Sequence, residues 1–477
     1  MKYVSTRGRA EVLGFADVLL AGLASDGGLY LPETWPQLPD LDDLAGLSYP
    51  EVAIEVMWPF VEGEIDRADF ERIVAESYSV FDDERICPVV PLGTTESGAD
   101  IWLLELFRGP TLAFKDVALQ LVGRLFDHVL TQRGETACIL GATSGDTGSA
   151  AIESVRNRDH IDIFVLFPDG RVSDVQRRQM STVDAENVHA VAVDGTFDDC
   201  QDLVKSAFAD TEFREQVGLS AVNSINWARV MAQIVYYVTS HLEVAPDHAP
   251  VTFSVPTGNF GNILAGWAAK QMGLPVDRLL VASNSNDILT RFFTTGIMEI
   301  REVVPTTSPS MDIQVSSNLE RLLFEVLDRD GAAVADLMGR FRSDGTVSVT
   351  ETHLRRLAQE FDATRIDGER AAGVIRDVHQ RLGMIIDPHT AVAVAAAEQT
   401  NGDPSVPVIA LATADPAKFP DAVEMAIGIR PPLPERLADL FERPERITKV
   451  EGNLGAVESL IRERLHSGPA QGIASGS

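Results

Sequence analysis

From about residue 100 onward, short apolar runs alternate with longer stretches whose apolar positions recur every three or four residues. The runs at 101–106, 137–140, 161–167, 188–193, 251–255, 279–282 and 406–412 have the length of buried strands, and the segments between them have helical period. Strands alternating with helices predict βαβ units and mostly parallel sheet. Two regions break this rhythm. Residues 1–90 read as mainly helical, with a turn cluster at 25–28, and a proline-bounded linker follows at 87–92. Residues 318–382 are dense in charge and helical in period, as in Leu319, Leu322, Leu323, Val326 and Leu327, and read as a helical insertion before the last strand. The end, residues 467–477, has the small, polar composition of a flexible tail.

Composition narrows the classes of function. Hydrophobic residues make up 45% and charged residues 23% of 477, enough for a large core divided among several domains. Lys+Arg number 40 against 71 Asp+Glu, a net charge of −31. Nucleic-acid binding and docking on anionic membranes both depend on Lys/Arg excess, so neither partner is expected. Cys87, Cys138 and Cys200 are odd in number and far apart, which suits a reducing, cytoplasmic setting and provides no metal-ligand pair; no metal site is expected. The start has no secretory pattern, and no apolar run approaches the ~18 residues of a membrane helix.

Three loops at strand ends carry candidate chemistry. The first contains Thr143, Ser144, Gly145, Asp146 and Thr147 and opens a helix; glycine amides, hydroxyls and the helix dipole suit a carboxylate or phosphate, or form only a capped turn. The second contains Gly258, Asn259, Phe260, Gly261 and Asn262, again at a helix start. It lacks the Lys–Ser/Thr ending of a P-loop, so a single phosphate group fits better than a nucleotide triphosphate. The third follows the last strand at Thr413 and turns at Pro416. Ligands of open α/β sheets bind beyond the carboxyl ends of strands, and three loops on one sheet edge can converge on one ligand.

A fourth segment offers a candidate nucleophile, Lys115, whose other reading is an ordinary solvated surface charge. After the turn at Gly109–Pro110, apolar residues at Val117, Leu121, Leu125 and Val129 mark a buried helical stripe, with Thr111 as an N-cap candidate. Lys115 then falls in the first turn. Both the helix dipole and desolvation favour its neutral amine, the form that attacks a carbonyl. An amine awaiting a carbonyl, together with a phosphate cradle, describes pyridoxal 5′-phosphate (PLP).

The segments DGGLYLP (26–32), GPTLAFKD (109–116), ATSGDTG (142–148), NSINWAR (223–229), PTGNFGN (256–262), SPSMDI (308–313), DPHTA (387–391) and LATADPAKF (411–419) occur in the order of one family. On them the sequence closely resembles threonine synthase, a PLP enzyme of the tryptophan-synthase-β-like fold type II. The resemblance implies an α/β fold of two open, mostly parallel sheets flanked by helices, with an N-terminal domain (1–92). It also implies a large PLP-binding domain (93–135 and 250–466) and a small substrate domain (136–249). Lys115 resembles the Schiff-base lysine, Gly258 to Asn262 the cofactor phosphate cradle, and Thr413 the hydroxyl at the pyridine nitrogen. Thr143 to Thr147 resemble the loop for the substrate carboxylate. Asn226, Arg229 and Arg171 are candidates for the substrate phosphate, since arginine matches phosphate bidentately. His389 reads as a structural, hydrogen-bonded histidine. Asp415 stands where the family usually has His.

The implied reaction converts O-phospho-L-homoserine and water to L-threonine and phosphate, in a monomer or homodimer. The alternative on the same scaffold is a phospholyase that releases a 2-oxo acid, ammonia and phosphate.

Overall fold

The computed structural model describes residues 1–143, 145–220 and 224–465. The chain divides into two compact units, Met1–Ala118 with Ser224–Pro434, and Leu119–Asn223 with Glu435–Ser477. Each is built on its own sheet.

The first unit has six strands in the spatial order Phe361–Arg365, Val276–Ser283, Val251–Pro256, Val408–Ala412, Asp100–Glu105 and Val89–Thr94. All neighbours are parallel except the last pair, where Val89–Thr94 runs antiparallel to Asp100–Glu105. Central strands of such a sheet are covered on both faces, so their residues are apolar without alternation. Every residue of Val251–Pro256 and Val408–Ala412 is buried. One face carries Leu103, Leu280, Ala282, Ala410 and Ala412, packed with Val392, Ala395 and Ala396 of the helix Pro388–Glu398. That helix is buried all round from Pro388 to Ala397, and its small alanines allow close approach. The helices Trp227–Val244 and Gly261–Gln271 also pack in this unit, where Tyr237 meets Phe253 edge-to-face at 4.7 Å. The first residues contribute an antiparallel pair, Tyr3–Ser5 with Tyr30–Pro32, and helices that include Tyr49–Val61 and Arg67–Tyr78.

The second unit has a wholly parallel five-stranded sheet in the order Ile447–Val450, Val188–Val193, Ile161–Pro168, Ala137–Ala142 and Leu219–Ser220. Its core joins Leu140, Phe164 and Val191 to Phe213, Val457 and Ile461.

All seven expected strands form. Four expectations change. The 87–92 linker is largely strand, since Val89–Thr94 completes the edge of the first sheet. The 318–382 region is not purely helical: Phe361–Arg365 forms the opposite edge of that sheet, and Thr346–Ser348 pairs with Ile297–Glu299. The unit boundaries differ from 136 and 249. The helix Trp227–Val244 lies in the first unit, and Ile447–Val450 brings residues after 435 into the second by pairing with Val188–Val193. The three loops do not share one sheet edge, because the loop after Ala137–Ala142 belongs to the second sheet. Among the described residues no helix is long and apolar enough to cross a membrane.

Candidate active site

In the first unit, three adjacent parallel strands bring three motif loops to one edge. Asp100–Glu105 leads to the lysine segment, Val408–Ala412 to Thr413, and Val251–Pro256 to the glycine loop. Backbone bonds tie the first two together. The amide of Leu106 donates to the carbonyl of Ala412 (2.9 Å), Phe114 to Thr413 (2.9 Å), and Asp415 to Leu112 (3.0 Å). This short antiparallel contact holds Leu112 at a φ of 64°, a left-handed conformation rare outside glycine. Lys115 follows at once as the first residue of the helix Lys115–Arg133, only 8% exposed, with its Nζ 5.6 Å from the centre of the Phe114 ring. Thr111 does not cap that helix. Its amide and hydroxyl instead donate to the two carboxylate oxygens of Asp116, both at 2.7 Å, and its carbonyl accepts from Lys418 Nζ at 2.7 Å. Asp116 is fully buried, and a Cβ at Gly109 would meet its Cβ at 2.4 Å, so the tight turn before the lysine requires glycine.

The glycine loop begins the helix Gly261–Gln271. Its N-cap, Phe260, has a φ of 63° and makes no side-chain cap. Burial of the Phe260 ring against Phe293 (5.9 Å, stacked) and Phe361 (6.0 Å) offsets the backbone strain, a cost of about 1–3 kcal/mol. The loop is walled closely: a Cβ at Gly258 would stand 2.9 Å from the carbonyl oxygen of Ser310. Ser310 is itself held by His389, whose Nε2 accepts the Ser310 amide at 3.3 Å while Nδ1 bonds to buried Asp387 at 2.7 Å. His389 therefore carries its proton on Nδ1 and is structural, linking DPHTA to SPSMDI and so to the glycine loop.

A hub on the other side holds the same loop. Asn318 donates from its amide (3.1 Å) and Nδ2 (3.0 Å) to the carbonyl of Asn259, and from Nδ2 to that of Ser224 (3.0 Å). Arg321 donates to Asn318 Oδ1 and to the carbonyls of Tyr30 (2.8 Å) and Ile225 (2.6 Å). Burial pulls the Arg321 guanidinium down to about 9. Neither residue stands out in the sequence, since both lie in a stretch of helical period and a lone arginine reads as surface charge. Nothing in the helical pattern around Tyr236 and Tyr237 separates them from core residues.

The remaining candidates differ in their surroundings. Arg229 is 5% exposed in the first turn of Trp227–Val244, burial lowers its guanidinium to about 10, and one terminal nitrogen has no hydrogen-bond partner among the described residues. Asn226 has another occupation: Oδ1 caps that helix by accepting from Ala228, and Nδ2 donates to the carbonyl of Leu19 at 2.8 Å. In the second unit, Ser144 lies outside the described residues. Thr143 Oγ1 accepts from the amides of Gly145 (2.9 Å) and Gly148 (3.0 Å), and Asp146 accepts from Gln176 Nε2 (2.9 Å). Thr147 is partly exposed in the first turn. Arg171 is exposed on a turn after Ile161–Pro168. The Asp199 carboxyl is held low chiefly by the Thr196 amide and hydroxyl, with a smaller contribution from Arg171. Asp415 caps the short turn Pro416–Lys418 by accepting from Ala417 at 2.8 Å, a role a carboxylate fills well.

A cleft of about 500 Å³ opens at the opposite, amino-terminal edge of the first sheet, lined by Thr252, Asp277, Arg278, Asp362 and Val408 among others. None of the motif loops reaches it, so the chemistry lies elsewhere.

The residues fit a phosphate-bearing aldehyde. The start of Gly261–Gln271 has no described side-chain cap, Gly258 leaves room only for backbone, and Asn262 Nδ2 is buried without a partner among the described residues. A buried lysine opens the helix that follows a strand of the same edge.

Fold and site together define a pyridoxal-phosphate dependent enzyme: the model of that family matches residues 80–340. The models described as threonine synthase N terminus and threonine synthase C-terminal match residues 2–78 and 390–461. The chain belongs to the threonine synthase family. It is 51% identical to threonine synthase of Pseudomonas aeruginosa, covering 98% of this chain and 99% of that protein. Identity to that of Saccharomyces cerevisiae is 39%, over 97% and 98%. The crystal structure of PLP-bound threonine synthase from Brucella melitensis superposes with a TM-score of 0.94 at 53% identity, covering 98% of this chain and all of that one.

Proposed function

We propose that this chain converts O-phospho-L-homoserine and water to L-threonine and phosphate, with Lys115 as the residue that moves protons. The observation that supports this assignment of roles is the backbone bonding of 112–114 to 413–415, immediately before the buried lysine and on the strand edge that also leads to the 258–262 loop. Pyridoxal 5′-phosphate, when bound, supplies an electron sink for carbanions next to the substrate nitrogen.

Gly258 to Asn262 would hold its phosphate through first-turn amides, and the Thr413 hydroxyl would meet its ring nitrogen. A neutral hydroxyl does not hold that nitrogen protonated, which leaves proton transfer to the lysine amine. Lys115 removes the proton at Cα and serves as base and acid at the neighbouring carbons. Over the whole reaction the Cγ–O bond breaks with its electron pair leaving on phosphate. One Cβ–H bond gives up its proton, the water oxygen bonds to Cβ as it loses a proton, and of these two protons one ends on Cγ and the other on the departing phosphate. Thr143, Gly145, Asp146 and Thr147, with Ser144, are the proposed carboxylate loop, and Arg229 and Arg171 the cations for the substrate phosphate. Asn226 is assigned a positioning role, since its carboxamide is already bonded at both ends. The proposed setting is cytoplasmic, with a small-molecule substrate and a monomeric or homodimeric state.

The test is a product assay on O-phospho-L-homoserine. Threonine and phosphate in equal amounts are expected; 2-oxobutyrate and ammonia as main products would show the phospholyase outcome instead.

A further inference from the structure

The first turn of Gly261–Gln271 contains a side chain whose orientation is set from the neighbouring helix. Tyr236 and Tyr237, consecutive and fully buried on Trp227–Val244, both reach Asn262. Tyr236 Oη donates to Asn262 Oδ1 at 2.5 Å. Tyr237 Oη lies 3.0 Å from the same oxygen and 2.9 Å from the Asn262 carbonyl, and donates its one proton there. Consecutive helical residues point about 100° apart, so two phenols converging on one carboxamide is a built arrangement. Tyr237 is clamped on both sides: its ring meets Phe253 of the strand before the loop, and a Cβ at Gly266 in the helix after it would meet that ring at 2.6 Å. Burial raises both phenols far above their ordinary value, so both hydroxyls remain donors.

With Oδ1 taken up, the open end of the carboxamide is Nδ2. It is buried and has no partner among the described residues, a state that costs about 1–3 kcal/mol unless an acceptor arrives. The first-turn amides of the same helix point at the same kind of group, an anion. The reversed carboxamide would present oxygen lone pairs to that anion.

We propose that Tyr236 and Tyr237 are positioning residues that lock Asn262 with Nδ2 as a side-chain donor to the cofactor phosphate. The inference rests on the reading of Gly258 to Asn262 as the phosphate cradle.

The test compares pyridoxal 5′-phosphate with pyridoxal, which lacks the phosphate, by titrating the cofactor-stripped full chain and following intrinsic fluorescence. The wild type is expected to bind the phosphorylated form far more tightly; equal binding would sink the cradle reading itself. Given that preference, Tyr236→Phe/Tyr237→Phe and Asn262→Ala should each weaken the phosphorylated form about 10-fold or more. Pyridoxal affinity should move less than about twofold. A wild-type preference in either variant overturns the proposal. So does an equal loss for both ligands, which would mean general loosening. Should the double variant fail to fold, Tyr236→Phe alone removes a single oxygen and should lower the preference about threefold, with an unchanged preference again decisive against.

Discussion

The chain presents two glycine-rich loops of the same grammar, each following a buried parallel strand and opening a helix, and the structure treats them oppositely. In the first unit the loop at 258–262 leaves its helix start without a described side-chain cap and holds its shape from outside, through Ser310, Asn318 and the tyrosine pair. In the second unit the loop that starts at Thr143 is capped from within, where Thr143 takes up the amides of Gly145 and Gly148, and is braced once from outside, where Asp146 accepts from Gln176. An externally braced loop can offer all its first-turn amides to a ligand. A self-capped loop has already used one of them, that of Gly148, together with the N-cap amide of Gly145, and any anion it takes must rely on the remaining donors. The first arrangement suits a cofactor that stays; the second suits a substrate that comes and goes.

Removing the chemistry while leaving both loops intact has the largest expected effect. Lys115→Ala should cut threonine formation by about 10³-fold or more while the melting temperature stays within a few degrees. Residual activity above a tenth would show that another group moves the protons. The loops themselves separate next. Gly258→Ala drives a Cβ against the Ser310 carbonyl, so cofactor affinity should fall about tenfold or more. Gly145→Ala forces an alanine to a φ near 147° against Gln176, a strain of about 1–3 kcal/mol, and should raise KM for the substrate with cofactor affinity unchanged. If both variants lose cofactor equally, the division of labour between the loops is wrong.

The division proposed between the loops is only partly legible in the sequence. The lysine, the 258–262 loop and Thr413 stand in contiguous motifs, and strands such as Val251–Pro256 announce themselves by runs buried on both faces. Phe361–Arg365 does not, because an edge strand with one buried residue carries no apolar run. Arg321 was illegible for a different reason. It is buried because carbonyls 96 and 291 residues away in sequence receive its donors, and no local pattern encodes such partners. Asn226 belongs to a recognisable motif, yet its bond to the Leu19 carbonyl spans 207 residues and cannot be read from that motif. Local sequence marks where donors lie; which of them are already occupied is decided by distant chain.

Self-capping of the second loop is worth a moderate amount. Thr143→Val keeps the shape and deletes the acceptor, freeing the amides of Gly145 and Gly148. Loss of a cap costs about 1 kcal/mol, so thermal unfolding of the chain should begin a few degrees lower. Unchanged stability would mean that water replaces the hydroxyl at no cost.

The smallest effect sharpens the comparison without altering any site. Cys87 lies in the first unit, Cys138 and Cys200 in the second, and all three are buried. Burial pushes the Cys87 and Cys138 thiols up strongly and Cys200 to about 11. At pH 8 a thiol of that value is about one part in a thousand thiolate, so in the folded chain labelling requires a local opening. Ligand that binds the folded form alone suppresses opening of the part that holds it. Adding pyridoxal 5′-phosphate to the stripped chain should therefore slow labelling of Cys87 more than that of Cys138 and Cys200, read residue by residue by mass spectrometry. Equal slowing at all three would mean that the units open together, and that the contrast between the loops ends at their hydrogen bonds.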